Sequence, residues 1–148
     1  MKDRTRILFL VSTLRRSGPT VQLLNIVRSL ELAEFDPAIL TLSAEPEGSM
    51  LGSFQDIGIK VESLSLSRTR SMIDRRWTDR IRHSAGFNPD NRCVIHSQGI
   101  RADMIAARAL GGFVRVATVH NYPGDDYPMK YGPVLGRWMA RRHLQAFG

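Results

Sequence analysis

Ile7-Leu8-Phe9-Leu10-Val11 is apolar at every position, the pattern of a strand whose two faces are both covered. A short polar loop, Ser12 to Pro19, follows it, and then the period changes to that of a helix. Thr20 can serve as the N-cap, and Leu23, Ile26, Val27 and Leu30 fall at i, i+3, i+4 and i+7 on one face. Gly18 sits at the turn from strand to helix. A position without a side chain there lets a ligand approach the helix N-terminus, whose unpaired N–H groups favour anions.

The same alternation of strand and helix runs on. Glu34 to Pro37 breaks the first helix, Ala38 to Leu42 reads as a second strand, and Pro46 and Gly48 mark a turn. Met50 to Ile57 predicts a short helix closed by Gly58. Ile59-Lys60-Val61-Glu62 alternates, which predicts a half-exposed strand at a sheet edge. Arg70 to Ser84 predicts a helix with Ile73, Trp77 and Ile81 along one face, followed by a loop from Gly86 to Arg92. Cys93 to His96 is a short buried strand, and Arg101 to Leu110 a helix whose Ala102, Ile105, Ala106 and Ala109 allow close packing on a sheet. Gly111-Gly112 ends that helix, Val114 to Val119 is the fifth strand, and His120 to Pro128 reads as loop. A last helix presents Tyr131, Val134, Leu135 and Trp138.

Five strands alternating with helices imply right-handed crossovers and an α/β fold: a doubly wound parallel sheet with helices on both faces. Placing the all-apolar first strand at the centre and the alternating third at an edge gives the order 3-2-1-4-5. The connectivity then reverses between strands one and four, and ligands bind outside the carboxyl ends at such a point. The loops at Thr13 to Pro19, Ser97 to Ile100 and His120 to Tyr127 are expected to line that crevice.

Length and composition fit one domain of ordinary globular character: 148 residues, 43% hydrophobic, 24% charged. Charge changes the picture. The formal net charge of +7 is carried mainly by arginine, which suits phosphate or carboxylate partners: nucleic acid, nucleotide-sugar phosphates or anionic lipid headgroups. The single cysteine, Cys93, rules out an internal disulfide and any multi-cysteine metal site, and its apolar strand marks it as a small core residue. No apolar run approaches transmembrane length, so the expected setting is cytoplasmic.

Several common chemistries fail on residues. Ser17-Gly18-Pro19 is no Gly-x-Gly-x-x-Gly, no P-loop is present, no aspartate ends the first strand, and no Gly-x-Ser-x-Gly elbow occurs. What remains at the strand tips is polar and cationic: Arg15 and Arg16, then His96, Gln98 and Arg101, then His120 and Asn121. Two histidines at the ends of neighbouring strands can donate hydrogen bonds to sugar hydroxyls or phosphate oxygens near neutral pH. His96 reads equally as a half-buried, hydrogen-bonded strand residue, whereas His120, ahead of a polar loop, reads as a ligand contact.

These residues carry a resemblance. Ser17-Gly18-Pro19-Thr20-Val21-Gln22-Leu23-Leu24-Asn25 is similar to the Gly-Gly-x-x-x-x-Leu-Leu-Asn opening of family-four glycosyltransferases. Ile95-His96-Ser97-Gln98-Gly99-Ile100-Arg101-Ala102-Asp103 resembles their His-x-x-Gly-x-Arg-Ala-Asp stretch, and Thr118-Val119-His120-Asn121 their Thr-x-His-Asn strand end. The resemblance implies the amino-terminal, acceptor-side domain of a retaining GT-B enzyme over residues 1–148, with the carboxy-terminal nucleotide-sugar domain lying outside this chain. It also implies that the chain alone does not turn over. The nucleotide sugar is a co-substrate, so neither a cofactor nor a metal is implied. On the family pattern Ser17 and Gly18 meet the donor diphosphate, and His120 is the catalytic candidate that touches the transferred sugar. Arg15, Arg16, His96, Gln98, Arg101 and Asn121 would form the pocket for a carbohydrate or lipid-linked acceptor. Ser17 stands where the family has its first loop glycine, and Thr20 where a glutamate is often found. The first loop holds no His, Asp or Glu to act as a general base, which favours retention.

Arg68, Arg70, Arg75, Arg76, Arg80 and Arg82 cluster in one segment. They read as a solvated helix face or, since many relatives work at the inner membrane surface, as a dock for anionic lipid. The competing function is a non-catalytic α/β module that binds an anionic partner, nucleic acid or nucleotide. Charge alone supports it, because no nucleic-acid reading motif or interleaved aromatic platform occurs.

Overall fold

The uninterrupted apolar run after Arg4 forms the central strand of the sheet, β1 (Thr5–Val11). The computed structural model describes residues 4–67, 76–84 and 92–147. The other strands are β2 (Phe35–Thr41), β3 (Lys60–Ser63), β4 (Cys93–Gln98) and β5 (Val114–Thr118), all parallel and in the order β3-β2-β1-β4-β5. The helices are α1 (Gly18–Ser29), α2 (Leu51–Gln55), α3 (Arg76–Ser84), α4 (Ile100–Ala109), α5 (Pro123–Tyr131) and α6 (Pro133–Gln145). This is the expected doubly wound, Rossmann-like arrangement, with connectivity reversing between β1 and β4.

Alternate side chains of β1 feed two separate cores. Leu8 and Leu10 join Leu40, Ile95, Trp77 and Ile81 of α3, and the alanine face of α4. Phe9 and Val11 join Ile39, Leu23 and Val27 of α1, and Phe54 of α2. Helices therefore cover both faces, which is why β1 carries no polar position past Arg6. Each such buried Leu, Ile or Phe contributes about 2 kcal/mol. The Arg6–Asp36 ion pair at 3.3 Å is partly exposed on both sides, and pairs of that kind are worth under about 1 kcal/mol. The cores, and not surface charge, hold the sheet.

Three local expectations are corrected. Thr20 is not the N-cap of α1: Ser17 is, in extended conformation, with its Oγ accepting from the Thr20 N–H at 3.4 Å. The helix thus starts at Gly18, with Pro19 in its first turn, where a missing N–H costs nothing. β2 begins before Pro37 and not after it. Pro37 pairs with Ile7, while β3 begins to pair only at Ala38, so the proline faces no ladder on that side. The segment His120 to Pro128 is not all loop, because α5 starts at Pro123. Proline in the first turn and Asp125 and Asp126 beside it suit a helix N-terminus, and the helix continues through Pro128.

Of the helix expected over Arg70 to Ser84, Ile73 and the arginines at 68, 70 and 75 lie outside the described residues, as does most of the loop expected at 86–92. Within α3, Trp77 and Ile81 are buried as their spacing requires. Arg80 and Arg82 donate to the carbonyls of Leu64 and Ala109.

Candidate functional site at the strand tips

All five strands end on one line. Val11 pairs with Thr41 and with Gln98, Thr41 with Ser63, and Gln98 with Thr118, each the last residue of its strand. The loops that leave these ends therefore emerge from a single edge of the sheet, the ligand edge of such folds.

The loop after β1 is fixed by its neighbour. Leu14 donates its N–H to the Glu45 carboxylate at 3.0 Å and accepts at its carbonyl from the Met50 N–H at 2.8 Å. The Thr20 hydroxyl donates to the Arg15 carbonyl at 2.6 Å. This leaves Arg15, Arg16, Ser17 and Gly18 exposed at the rim. The space a Cβ on Gly18 would enter is open, with no atom within 4 Å.

Arg101, in the first turn of α4, reaches over the sheet. Its guanidinium donates to Ser43 Oγ at 2.5 Å and to the carbonyls of Leu66 and Ser67, both at 3.4 Å. Its side chain thus ties α4 to the loops after β2 and β3. Those loops and the first one border an open hollow of about 580 Å³ lined by Thr13, Arg15, Ser43, Glu47, Ser65 and Ser67. The hydroxyls of Ser43, Ser65 and Ser67 were not singled out from sequence. The available signal was their place just past two strands whose ends line the same edge. Gly99 opens α4 with φ 89° and ψ 150°, a conformation that requires glycine.

His96 lies on the sheet face that carries Phe9, with ring centroids 5.1 Å apart, and its Nε2 bonds the Thr118 hydroxyl at 2.7 Å. The imidazole therefore links β4 to β5. Burial pushes its pKa below the ordinary 6.5, against a smaller opposing pull from the Asp103 carboxylate. The unfolded chain then takes up this proton more readily than the folded one, so stability should fall as pH drops through the region of 6.5 and level off below the folded-state pKa. Tm measured against pH should show this slope, and His96→Gln should flatten it; an unchanged slope would remove His96 as its source. Gln98, on the same strand end, is buried, and its Nε2 has no hydrogen-bond partner among the described residues. A donor so placed is costly unless something comes to accept from it.

His120 and Asn121 follow β5 and are exposed. They share the edge with Gly18, but neither His120 nor Gly18 lines the hollow at Ser43. A second hollow of about 490 Å³ runs along β5 and is walled by Ser97, Asp103, Arg115, Val116, Val119 and Phe147. His120 stands outside that one too. The fold thus brings Arg15 close to the loops that Arg101 ties down, and places His120 and Asn121 further along the row.

The aspartate that closes the Arg101-Ala102-Asp103 stretch points inward. His143 Nε2 donates to Asp103 Oδ2 at 2.5 Å, and Tyr127 Oη lies 2.8 Å from His143 Nδ1. A carboxylate can only accept, so Nε2 carries a proton. Burial and the nearby Asp103 and Asp126 carboxylates push the Tyr127 hydroxyl up to about 12, which keeps it protonated and able to donate to Nδ1. One chain of bonds, buried at its Asp103 end, therefore joins α5, α6 and α4. Among the described residues no group of three or more His, Cys, Asp or Glu side chains could hold a metal ion, and no helix is long and apolar enough to cross a membrane.

No protein-family model, curated protein or solved structure matches the chain.

Proposed function

We propose that this chain is the acceptor-side domain of a retaining glycosyltransferase of GT-B architecture, moving a sugar from a nucleotide sugar to a carbohydrate or lipid-linked hydroxyl. The observation that carries the reading is the flush row of strand ends. It delivers Arg15, Ser17, Gly18, Gln98, His120 and Asn121 to one edge of the sheet.

In this reading the open face of Gly18 admits the donor diphosphate to the N-terminus of α1, where the positive end of the helix dipole and Arg15 and Arg16 meet its charge. Gln98 supplies the buried donor for an acceptor hydroxyl. His120 contacts the sugar in transit, and a second α/β domain brings the nucleotide. The bond from the anomeric carbon to the diphosphate oxygen breaks, the acceptor oxygen takes that carbon, and the hydroxyl proton leaves with the diphosphate.

Titrating the isotope-labelled chain with epimeric hexoses and with nucleoside diphosphates tests this by amide shifts. Hexoses should move the amides of Arg15, Gly18, Gln98 and Asn121 with a preference among epimers that salt leaves unchanged. Labelled nucleotide sugar mixed with this chain alone should be neither transferred nor hydrolysed. Nucleic-acid binding that weakens steeply with salt, with no response to sugars, would overturn the reading in favour of an anion-binding module. Robust transfer by the chain alone would overturn the division of labour between two domains.

A further inference from the structure

We propose that the outer face of α6, with the elbow joining it to α5, docks onto an anionic lipid bilayer surface. The inference goes beyond the transferase reading and does not rest on it. α6 turns Gly136, Ala140 and His143 inward. At 3.6 residues per turn this sends Val134, Trp138 and Arg141 to the opposite side, bordered by Leu135 and Arg142. Those side chains are not tucked away: Val134 is 84% exposed, Trp138 54%, and Met129 at the elbow 86%. Leu135 and Tyr131 are about half exposed as well.

Isolated exposed apolar residues are ordinary, but a run of them interleaved with cations on one helix is not. Arg137, Arg141 and Arg142 are exposed on α6, and Lys130 at the elbow. The Arg142 guanidinium sits 5.6 Å from the centre of the Trp138 ring, an arrangement in which the cation rides on an apolar surface. Tryptophan, tyrosine and arginine beside protruding aliphatic side chains make the composition of an interfacial helix.

Charge decides among occupants. A second copy applied by two-fold symmetry would set the same arginines against each other. An acidic protein would satisfy the arginines, but would need to supply a groove for the protruding Met129 and Val134. An anionic bilayer accepts both at once, with headgroups for the arginines and acyl chains for the aliphatic tips. Arg80 and Arg82, nearer the middle of the chain, are less suited to this, since each already donates to a backbone carbonyl.

The two tryptophans supply a reporter. Trp77 is buried at 5% exposure, so a shift in emission belongs to Trp138. The full chain should co-sediment with vesicles of phosphatidylcholine and phosphatidylglycerol, and not with phosphatidylcholine alone. Its emission should move to the blue and be quenched by brominated acyl chains. Arg141→Gln and Arg142→Gln should each weaken partitioning about fivefold. Val134→Asp should abolish it, with an unchanged circular dichroism spectrum showing that the fold is intact.

Equal binding to neutral and anionic vesicles would overturn the proposal, as would binding to neither. Binding to anionic vesicles that survives Val134→Asp would overturn the assignment to α6. Binding of polyglutamate through the same arginines without vesicle binding would give the face to an acidic protein instead.

Discussion

Gly136→Ala should cost the protein about 3 kcal/mol and lower Tm by roughly 10 °C, more than any other single methyl group added to a helix here. A Cβ built on Gly136 meets the Tyr127 carbonyl and the Pro128 nitrogen well inside the 3.0 Å that real Cβ atoms respect. Both are backbone atoms of α5, so no side-chain rotation relieves the clash and the two helices must part. Gly52→Ala supplies the contrast. It also lies within a helix, but nothing stands within 4 Å of its Cβ direction. There the substitution should stabilise by about 0.5 kcal/mol through lost freedom of the unfolded chain. Urea denaturation of the two variants measures the difference. Equal midpoints would mean that α5 and α6 do not pack through Gly136.

Removing the imidazole from the chain of bonds that ends at Asp103 should cost as much or more. His143 and Asp103 are almost fully buried, and Asp103 Oδ1 already lacks a partner among the described residues. His143→Ala would leave the buried carboxylate without its imidazole donor, a loss of about 3–5 kcal/mol. Tyr127→Phe removes only the outer hydroxyl and should cost about 1 kcal/mol. A double variant, Asp103→Leu with His143→Leu, should recover part of the single loss, because an apolar pair leaves no orphan charge. The ranking is read from denaturation midpoints with slopes compared. A His143→Ala protein within 1 kcal/mol of the parent would show that α5 and α6 are anchored elsewhere.

Much of the scaffold was legible in residue order because it depends on local period. The unbroken apolar run of β1 can exist only where both faces are covered, so it had to be central. The alternation at Ile59 to Glu62 had to lie at an edge, and Lys60–Ser63 does, with exposed residues at both of its ends. Expectation strayed where one residue type supports two structures. Pro37 reads as a breaker, and in β2 it is harmless because no neighbour needs its N–H. Pro128 and Asp125 read as loop, and they occupy a helix. Ser17 and Thr20 are both good caps, and only the path of the chain selects Ser17.

The site was legible as a row of loops but not as a set of contacts. Arg101 bonds Ser43 across 58 positions of sequence, and His143 bonds Asp103 across 40. No window along the chain holds both partners of either bond. His96 and His120 have similar standing in the sequence, each at a strand end, yet the fold gives one to Thr118 and leaves the other exposed.

By itself the sequence determined the class of fold, the order of the strands and the sheet edge from which the carboxyl-end loops emerge, since hydrophobic period and strand-crossover handedness need no distant information. The tertiary structure alone decided which polar side chains are committed to holding helices and strands together and which stay free at the rim. That division rests on burial and on partners brought together from far along the chain, and a buried polar group must find its partner wherever the fold supplies one.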